Sequence, residues 1–143
     1  MLCPTCKDPL VILEVEDIEI DACVRRHGLW FDAQELEQLF TLAGAPEESL
    51  ELVADLEALE DQPRRRRCPR CGGLMEAVQA PGDDTLILDR CLRTHGLWFD
   101  DGELIALLRL ILGDDAEPLR RVQGYLGNFA RPAGGAPEGE DSP

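Results

Sequence analysis

Apolar side chains recur along this chain at two periods, and the switch from one to the other marks its elements. Val11, Leu13 and Val15, then Ile18 and Ile20, alternate with polar residues around Glu16-Asp17. Period two around a short polar turn predicts a β-hairpin. Leu74 to Val78 and Thr85 to Asp89 repeat the pattern around Pro81-Gly82-Asp83-Asp84. The period then lengthens: Leu36, Leu39 and Phe40 share one face of a helix from Ala33 to Ala43 that stops at Gly44-Ala45-Pro46. A second helix starts near Pro46-Glu47-Glu48, with Leu52, Val53, Leu56 and Leu59 on its apolar face. The third, Asp101 to Leu112, is apolar almost all round and must be covered on more than one side, by the first helix, by the C-terminal helix or by a partner. A weaker fourth helix passes through Leu119, Val122 and Leu126. Short hairpins each followed by helices make the chain a small α+β protein.

The helix starts share a signature. Asp32 and Asp100 each precede a Glu by three residues, Glu35 and Glu103, the spacing of a capping box. Both aspartates stand at the end of one repeated phrase, His27-Gly28-Leu29-Trp30-Phe31-Asp32 and His95-Gly96-Leu97-Trp98-Phe99-Asp100. The chain is therefore two copies of one unit: residues 1–62, a basic linker 63–67 containing Arg64 to Arg67, and residues 68–130. A Pro-, Gly- and acid-rich tail, residues 131–143, is expected to be disordered.

The repeat gathers every Cys and His of the protein into two sets of four. Cys3, Cys6, Cys23 and His27 form the first; Cys68, Cys71, Cys91 and His95 form the second. Two closely spaced pairs separated by a hairpin's length is the pattern of a structural zinc site. Three thiolates and one imidazole complete a tetrahedron and leave no position for water or substrate, so two structural Zn²⁺ ions are expected and catalysis at them is not. The spacing also argues against disulfides. Units of this size bury too little surface to be stable without such a staple.

Net charge narrows the partners. At −15 and a sequence pI of about 4.4 the chain repels nucleic acid and anionic membranes over most of its surface. The exception is local, because Arg64 to Arg67, Arg70, Arg90 and Arg93 gather around the second unit. Either they form a basic face, or the acidic second helix neutralises them. A first ligand at Cys3 leaves no room for a signal peptide, and Arg109 interrupts the longest apolar run, so a cytoplasmic protein without a membrane span is expected.

The order Cys-Pro-x-Cys, hairpin, Cys, then Gly-x-Trp-x-Asp-x-x-Glu-Leu resembles the bacterial transcription-factor-IIB-type zinc finger family, a small zinc ribbon of β-hairpin and zinc knuckles. The first copy carries the resemblance through Cys3, Cys6, Ile20, Cys23, Gly28, Trp30, Asp32, Glu35 and Leu36, and the second through Cys68, Cys71, Cys91, Gly96, Trp98, Asp100, Glu103 and Leu104. The family's fourth Cys would fall at Arg26 and Thr94, and in each copy a His follows one position later. The resemblance implies two tandem zinc ribbons and a compact docking surface.

No nucleophile-base pair is left unassigned and no phosphate-binding loop occurs, so the chain reads as a non-enzymatic module. Its expected partner is another protein, met as a docking or regulatory surface. Alternatives are nucleic acid or the transcription machinery, bound through the Arg64–Arg67 region, and a thiol-based redox or zinc sensor. The Leu-rich third helix admits a homodimer. Trp30, Phe31, Trp98 and Phe99 are either core residues or anchors for a partner. Asp32 and Asp100 either cap their helices or accept from the His rings.

Overall fold

The computed structural model describes residues 1–60, 66–80, 83–93, 96–113 and 117–130. The first hairpin forms where alternation predicts it, strands β1 (Val11–Val15) and β2 (Ile18–Ala22) pairing antiparallel. Glu16 and Asp17 close it with positive φ values of 49° and 73°, the conformation that matches the twist of a two-residue hairpin.

Strand β3 (Gly28–Phe31) comes next, and then helix α1 (Ala33–Ala43), with Leu36, Leu39, Phe40 and Ala43 buried and Gly44 ending it at φ 82°. Helix α2 (Glu48–Ala54) is shorter than its apolar spacing predicts. It turns Ser49, Leu50 and Val53 inward and leaves Leu52 40% exposed, because the chain departs at Asp55 for an unforeseen two-residue strand, β4 (Glu57–Ala58), on the sheet edge.

The second hairpin, β5 (Met75–Ala80) and β6 (Asp83–Cys91), is longer than expected. Asp83 and Asp84 belong to the strand rather than to the turn, whose Pro81 and Gly82 lie outside the described residues. Strand β7 (Leu97–Asp100), helices α3 (Glu103–Leu112) and α4 (Glu117–Leu126), and a 3-10 turn at Gly127–Ala130 complete the fold. Helix α3 starts two residues later than predicted, with Gly102 at its N-cap, φ 90°, so Asp100 does not cap it. Residues 61–65, which include Arg64 and Arg65 of the linker, and the tail 131–143 lie outside the described residues.

Among the described residues, seven strands form one antiparallel sheet in the order β1-β2-β3-β7-β6-β5-β4. Its centre is the pairing of the two copies' Leu-Trp-Phe strands. Gly28 faces Asp100, Leu29 faces Phe99, Trp30 faces Trp98 and Phe31 faces Leu97. Each Trp thus meets its own counterpart, and a pseudo-two-fold axis passes through the Trp30–Trp98 pair. The glycines make this approach feasible: a Cβ on Gly28 would lie 2.3 Å from Phe99 O, and one on Gly96 2.2 Å from Phe31 O.

Alternation sorts the two faces. Leu29, Phe31, Leu97 and Phe99 join the main core beneath the helices, with Phe31 and Phe99 meeting edge to face at 5.7 Å. Trp30 and Trp98 point into a smaller cluster with the cysteines. Both Trp and both Phe are at most 1% exposed, so they are core rather than anchors. Strands buried on both faces read as continuous apolar runs, and neither β3 nor β7 shows the alternation that marked the hairpins. Helix α3 is covered within the chain by β6, β7, α2 and α4, leaving Leu110 38% exposed. Among the described residues no helix is long and apolar enough to cross a membrane.

Candidate metal centres

Each ligand is held by a turn that the sequence specifies locally. The first knuckle closes with Lys7 N–H donating to Cys3 O at 2.9 Å, Lys7 taking φ 68°; in the second copy Gly72 does the same to Cys68 O at 2.8 Å, φ 77°. Hairpin geometry then carries the third Cys back beneath the first two. Cys23 N donates to Gly28 O at 3.1 Å and Cys91 N to Gly96 O at 3.0 Å, tying each third ligand to its Trp strand.

In the first copy Arg26 stands where the resemblance would put a fourth Cys. It adopts φ 62° and closes the turn on Cys23 O at 2.8 Å. The chain therefore reverses one residue before the ligand, and the longer imidazole of His27 spans the added distance.

Cys3, Cys6, Cys23 and His27 offer four donor atoms that all lie within 4.8 Å of one another. Cys6 Sγ and Cys23 Sγ are 3.7 Å apart; His27 Nδ1 lies 3.4 Å from Cys23 Sγ and 3.8 Å from Cys3 Sγ. A tetrahedral zinc with Zn–S near 2.3 Å and Zn–N near 2.0–2.1 Å requires edges of about 3.8 Å between sulfurs and about 3.6 Å from sulfur to nitrogen. The donor set fits that ion. A disulfide is excluded, since no sulfur pair approaches the bonding length of about 2.05 Å.

In the second copy Cys68, Cys71 and Cys91 converge in the same way, Cys71 Sγ and Cys91 Sγ 3.7 Å apart, whereas His95 lies outside the described residues. Backbone N–H groups are aimed at the sulfurs in both copies: Thr5 to Cys3 at 3.3 Å, Arg70 to Cys68 at 3.3 Å and Arg93 to Cys91 at 3.4 Å. Such donors stabilise thiolate over thiol.

Protonation depends on the environment. Burial pushes the Cys68 thiol up to about 11, partly offset by the backbone N–H groups of Cys71 and Arg70 and reinforced by the neighbouring sulfurs. Burial raises Cys3 as well. At Cys23 the burial penalty is outweighed by N–H groups of His27 and Arg25, and its value falls. Burial thus holds Cys3 and Cys68 toward the thiol form; a divalent cation among the sulfurs would reverse that balance and deprotonate coordinating thiols outright.

Among the described residues, the aspartates after each Trp-Phe have partners other than a His ring. Asp32 Oδ1 accepts from Glu35 N at 2.8 Å and Glu35 Oε1 accepts from Asp32 N at 3.1 Å, a complete capping box, while Asp32 Oδ2 accepts from Arg70 across the copies at 3.2 Å. Asp100 accepts from Trp98 Nε1 at 2.9 Å and from Arg66. Arg66 also reaches the buried Asp89 at 3.1 Å. Burial alone would weaken the Arg66 charge, but the bond to Asp100 and the charges of Asp100 and Asp89 hold the guanidinium above its ordinary value. Arg90 bonds Glu76 at 3.0 Å and Leu56 O at 3.2 Å. Asp89, Asp100, Asp32 and Glu76, rather than the acidic second helix, therefore neutralise Arg66, Arg70 and Arg90. No periodicity betrayed these pairings, because each crosses 14 to 38 positions of sequence.

Neither a curated protein nor a solved structure matches the chain. A family model, described as transcription factor zinc-finger, matches residues 2–41 and again 67–110, the two segments that carry the ligand sets. With more than half its length matched, in two tandem copies, the chain belongs to the transcription factor zinc-finger family, a zinc ribbon of the TFIIB type.

Proposed function

We propose that this protein is a non-enzymatic tandem zinc ribbon that holds two Zn²⁺ ions, through Cys3, Cys6, Cys23 and His27 and through Cys68, Cys71, Cys91 and His95, and serves as a docking or regulatory module for another protein. Bound zinc supplies structure: it joins the knuckle, the hairpin and the Trp strand of each copy at one point. Zinc-ribbon families are generally binding modules, and a closed donor set offers no open coordination position for chemistry.

One observation carries the choice of partner. Arg66, Arg70 and Arg90 are engaged by Asp89, Asp100, Asp32 and Glu76, so these three of the cluster's described arginines are neutralised from within. What remains outward is an acidic surface, suited to a cationic protein and repelling phosphate backbones.

The test is a tagged capture from native cell extract in reducing, chelator-free buffer, split into nuclease-treated and untreated halves, with zinc measured on the same protein. A ratio of two zinc per chain and a protein partner that survives nuclease are expected. Recovery that vanishes with nuclease would overturn the docking reading in favour of nucleic acid, and a ratio of one would remove the second zinc site.

A further inference from the structure

The pseudo-two-fold axis relates two hollows, one filled and one open. In the second copy Phe99, Asp100, Leu104, Gly28 and Leu29 line a space of about 10 Å³, with Phe129 from the C-terminal 3-10 turn at its wall. In the first copy the equivalent residues Phe31, Asp32, Leu36, Gly96 and Leu97 line a space of about 410 Å³. The cause lies in the path the chain takes beyond the second helix of each copy. Helix α4 continues from Leu126 into the turn that packs Phe129 on the core. Helix α2 stops at Ala54, and the chain leaves for β4 at the sheet edge. Leu50 and Val53 are left as one apolar wall of an open hollow.

Charge separates the two spaces as well. Glu37 occupies the position equivalent to the fully buried Ile105 and puts an exposed carboxylate on the rim of the open hollow, where Asp32 is already bonded to Glu35 N–H and Arg70. Arg90, a cation in its lining, is bonded to Glu76 and to Leu56 O. The filled hollow thus shows the occupant this lining accepts: an aromatic ring on the apolar floor.

We propose, resting on the docking reading above, that the open hollow between α1, α2 and β7 receives one aromatic side chain of a partner peptide, flanked by a Lys or Arg that meets Glu37. The space suits it. A cavity of about 150 Å³ already accommodates benzene, and binding clefts begin near 300 Å³. Aromatic anchors in such pockets, surrounded by complementary charge at the rim, carry most of the energy of protein docking.

The probe is acetyl-Lys-Phe-Ala-Arg-amide, titrated into the zinc-loaded full chain and followed by amide NMR shifts and by calorimetry. Saturable one-to-one binding is expected, with shifts confined to Ala33, Leu36, Leu50 and Val53 and their neighbours. Replacing the peptide's Phe with Ala should weaken it at least tenfold. Ala54→Trp and Ala33→Trp, both at exposed positions on opposite walls, should each abolish it while leaving zinc content and spectral dispersion intact. Phe129→Ala should open the second hollow and raise the stoichiometry to two. Absence of saturation, equal binding of the Phe-free peptide, persistence in either Trp variant or a stoichiometry that stays at one in Phe129→Ala would each overturn the proposal. A captured protein partner whose binding is unchanged by Ala54→Trp would sink this site and leave the docking module standing.

Discussion

The two copies carry the same phrase and use its last carboxylate differently. Asp32 caps α1 in a complete capping box, and the helix begins at the next residue. Asp100 keeps half of the box, its N–H donating to Glu103 Oε1 at 2.8 Å, but gives its oxygen to Trp98 and Arg66, so α3 begins only at Glu103. Trp30 shows the converse: its Nε1 is buried and, among the described residues, lacks a hydrogen-bond partner. The difference comes from the chain leading into each copy. Arg66 enters the second copy from the linker, two residues before Cys68, and the equivalent position in the first copy holds Met1, which carries no guanidinium. A motif fixes where a carboxylate stands, and its neighbours decide what it does.

Metal is where the comparison is expected to break most visibly. The ligand sets lie on either side of the central β3–β7 pairing, and both copies contribute to one core. Cys23→Ser or Cys91→Ser should therefore remove one ion and melt both halves in a single transition. A structural zinc contributes on the order of 10–16 kcal/mol, comparable to the whole stability of a small domain. Chelation should do the same. Far-UV circular dichroism unchanged in zinc-free protein, or a variant in which one half keeps its amide dispersion, would contradict this coupling.

Next in size are the glycines at the axis. Gly28→Ala and Gly96→Ala each drive a methyl group into the opposite strand's backbone, which cannot yield as a side chain would. A loss of about 3 kcal/mol is expected for each, at the upper end of overpacking, read from chemical denaturation with zinc held in excess. Near-equal losses would sustain the pseudo-symmetry; a tolerated Gly96→Ala would show that the second copy's strand can shift.

Sequence made the two donor clusters legible, all but the undescribed His95, because a metal-binding pattern sets residue types at fixed spacings, and the first hairpin and α1 legible because each has one solvated and one buried face. What it hid shares one property: dependence on the other copy. Strands β3 and β7 are buried on both sides only because they meet each other, and α3 is apolar all round because β6, β7, α2 and α4 cover it. Helix α2 misled for the same reason. Its inward residues are chosen by where α1 and α3 stand, so Leu52, in register with the predicted face, points outward.

The aspartates come third. Asp100→Ala leaves Arg66 facing Asp89 alone and strips the Trp98 indole of its acceptor, in a site where Asp100 is 30% and Arg66 23% exposed. About 2 kcal/mol is expected, between the values for surface and buried pairs. Asp32→Ala removes an N-cap and an ion pair with the more exposed Arg70, for about 1 kcal/mol. Equal effects in thermal denaturation would mean that Arg66 is dispensable and that capping is all either aspartate provides.

The smallest expected effect is a pH dependence that the copies share. Burial first, and then repulsion from Asp100, lifts Glu103 to about 7; burial, partly offset by the Asp32 N–H, lifts Glu35 to about 7 as well. The folded carboxyls hold their protons up to that pH, whereas in the unfolded chain they release them near 4.5. Between those values the folded state binds more protons, so these groups make stability fall as pH rises through the window. Glu35→Gln and Glu103→Gln keep the acceptor for the aspartate N–H and remove the ionisation. Each variant, zinc-saturated and compared with the parent at about pH 6 and about pH 8, should gain under about 1 kcal/mol at the higher pH and little at the lower. The gain should be larger for Glu103, whose carboxyl lies among Asp100 and Asp89, than for Glu35. A gain independent of pH would assign the effect to helix propensity instead.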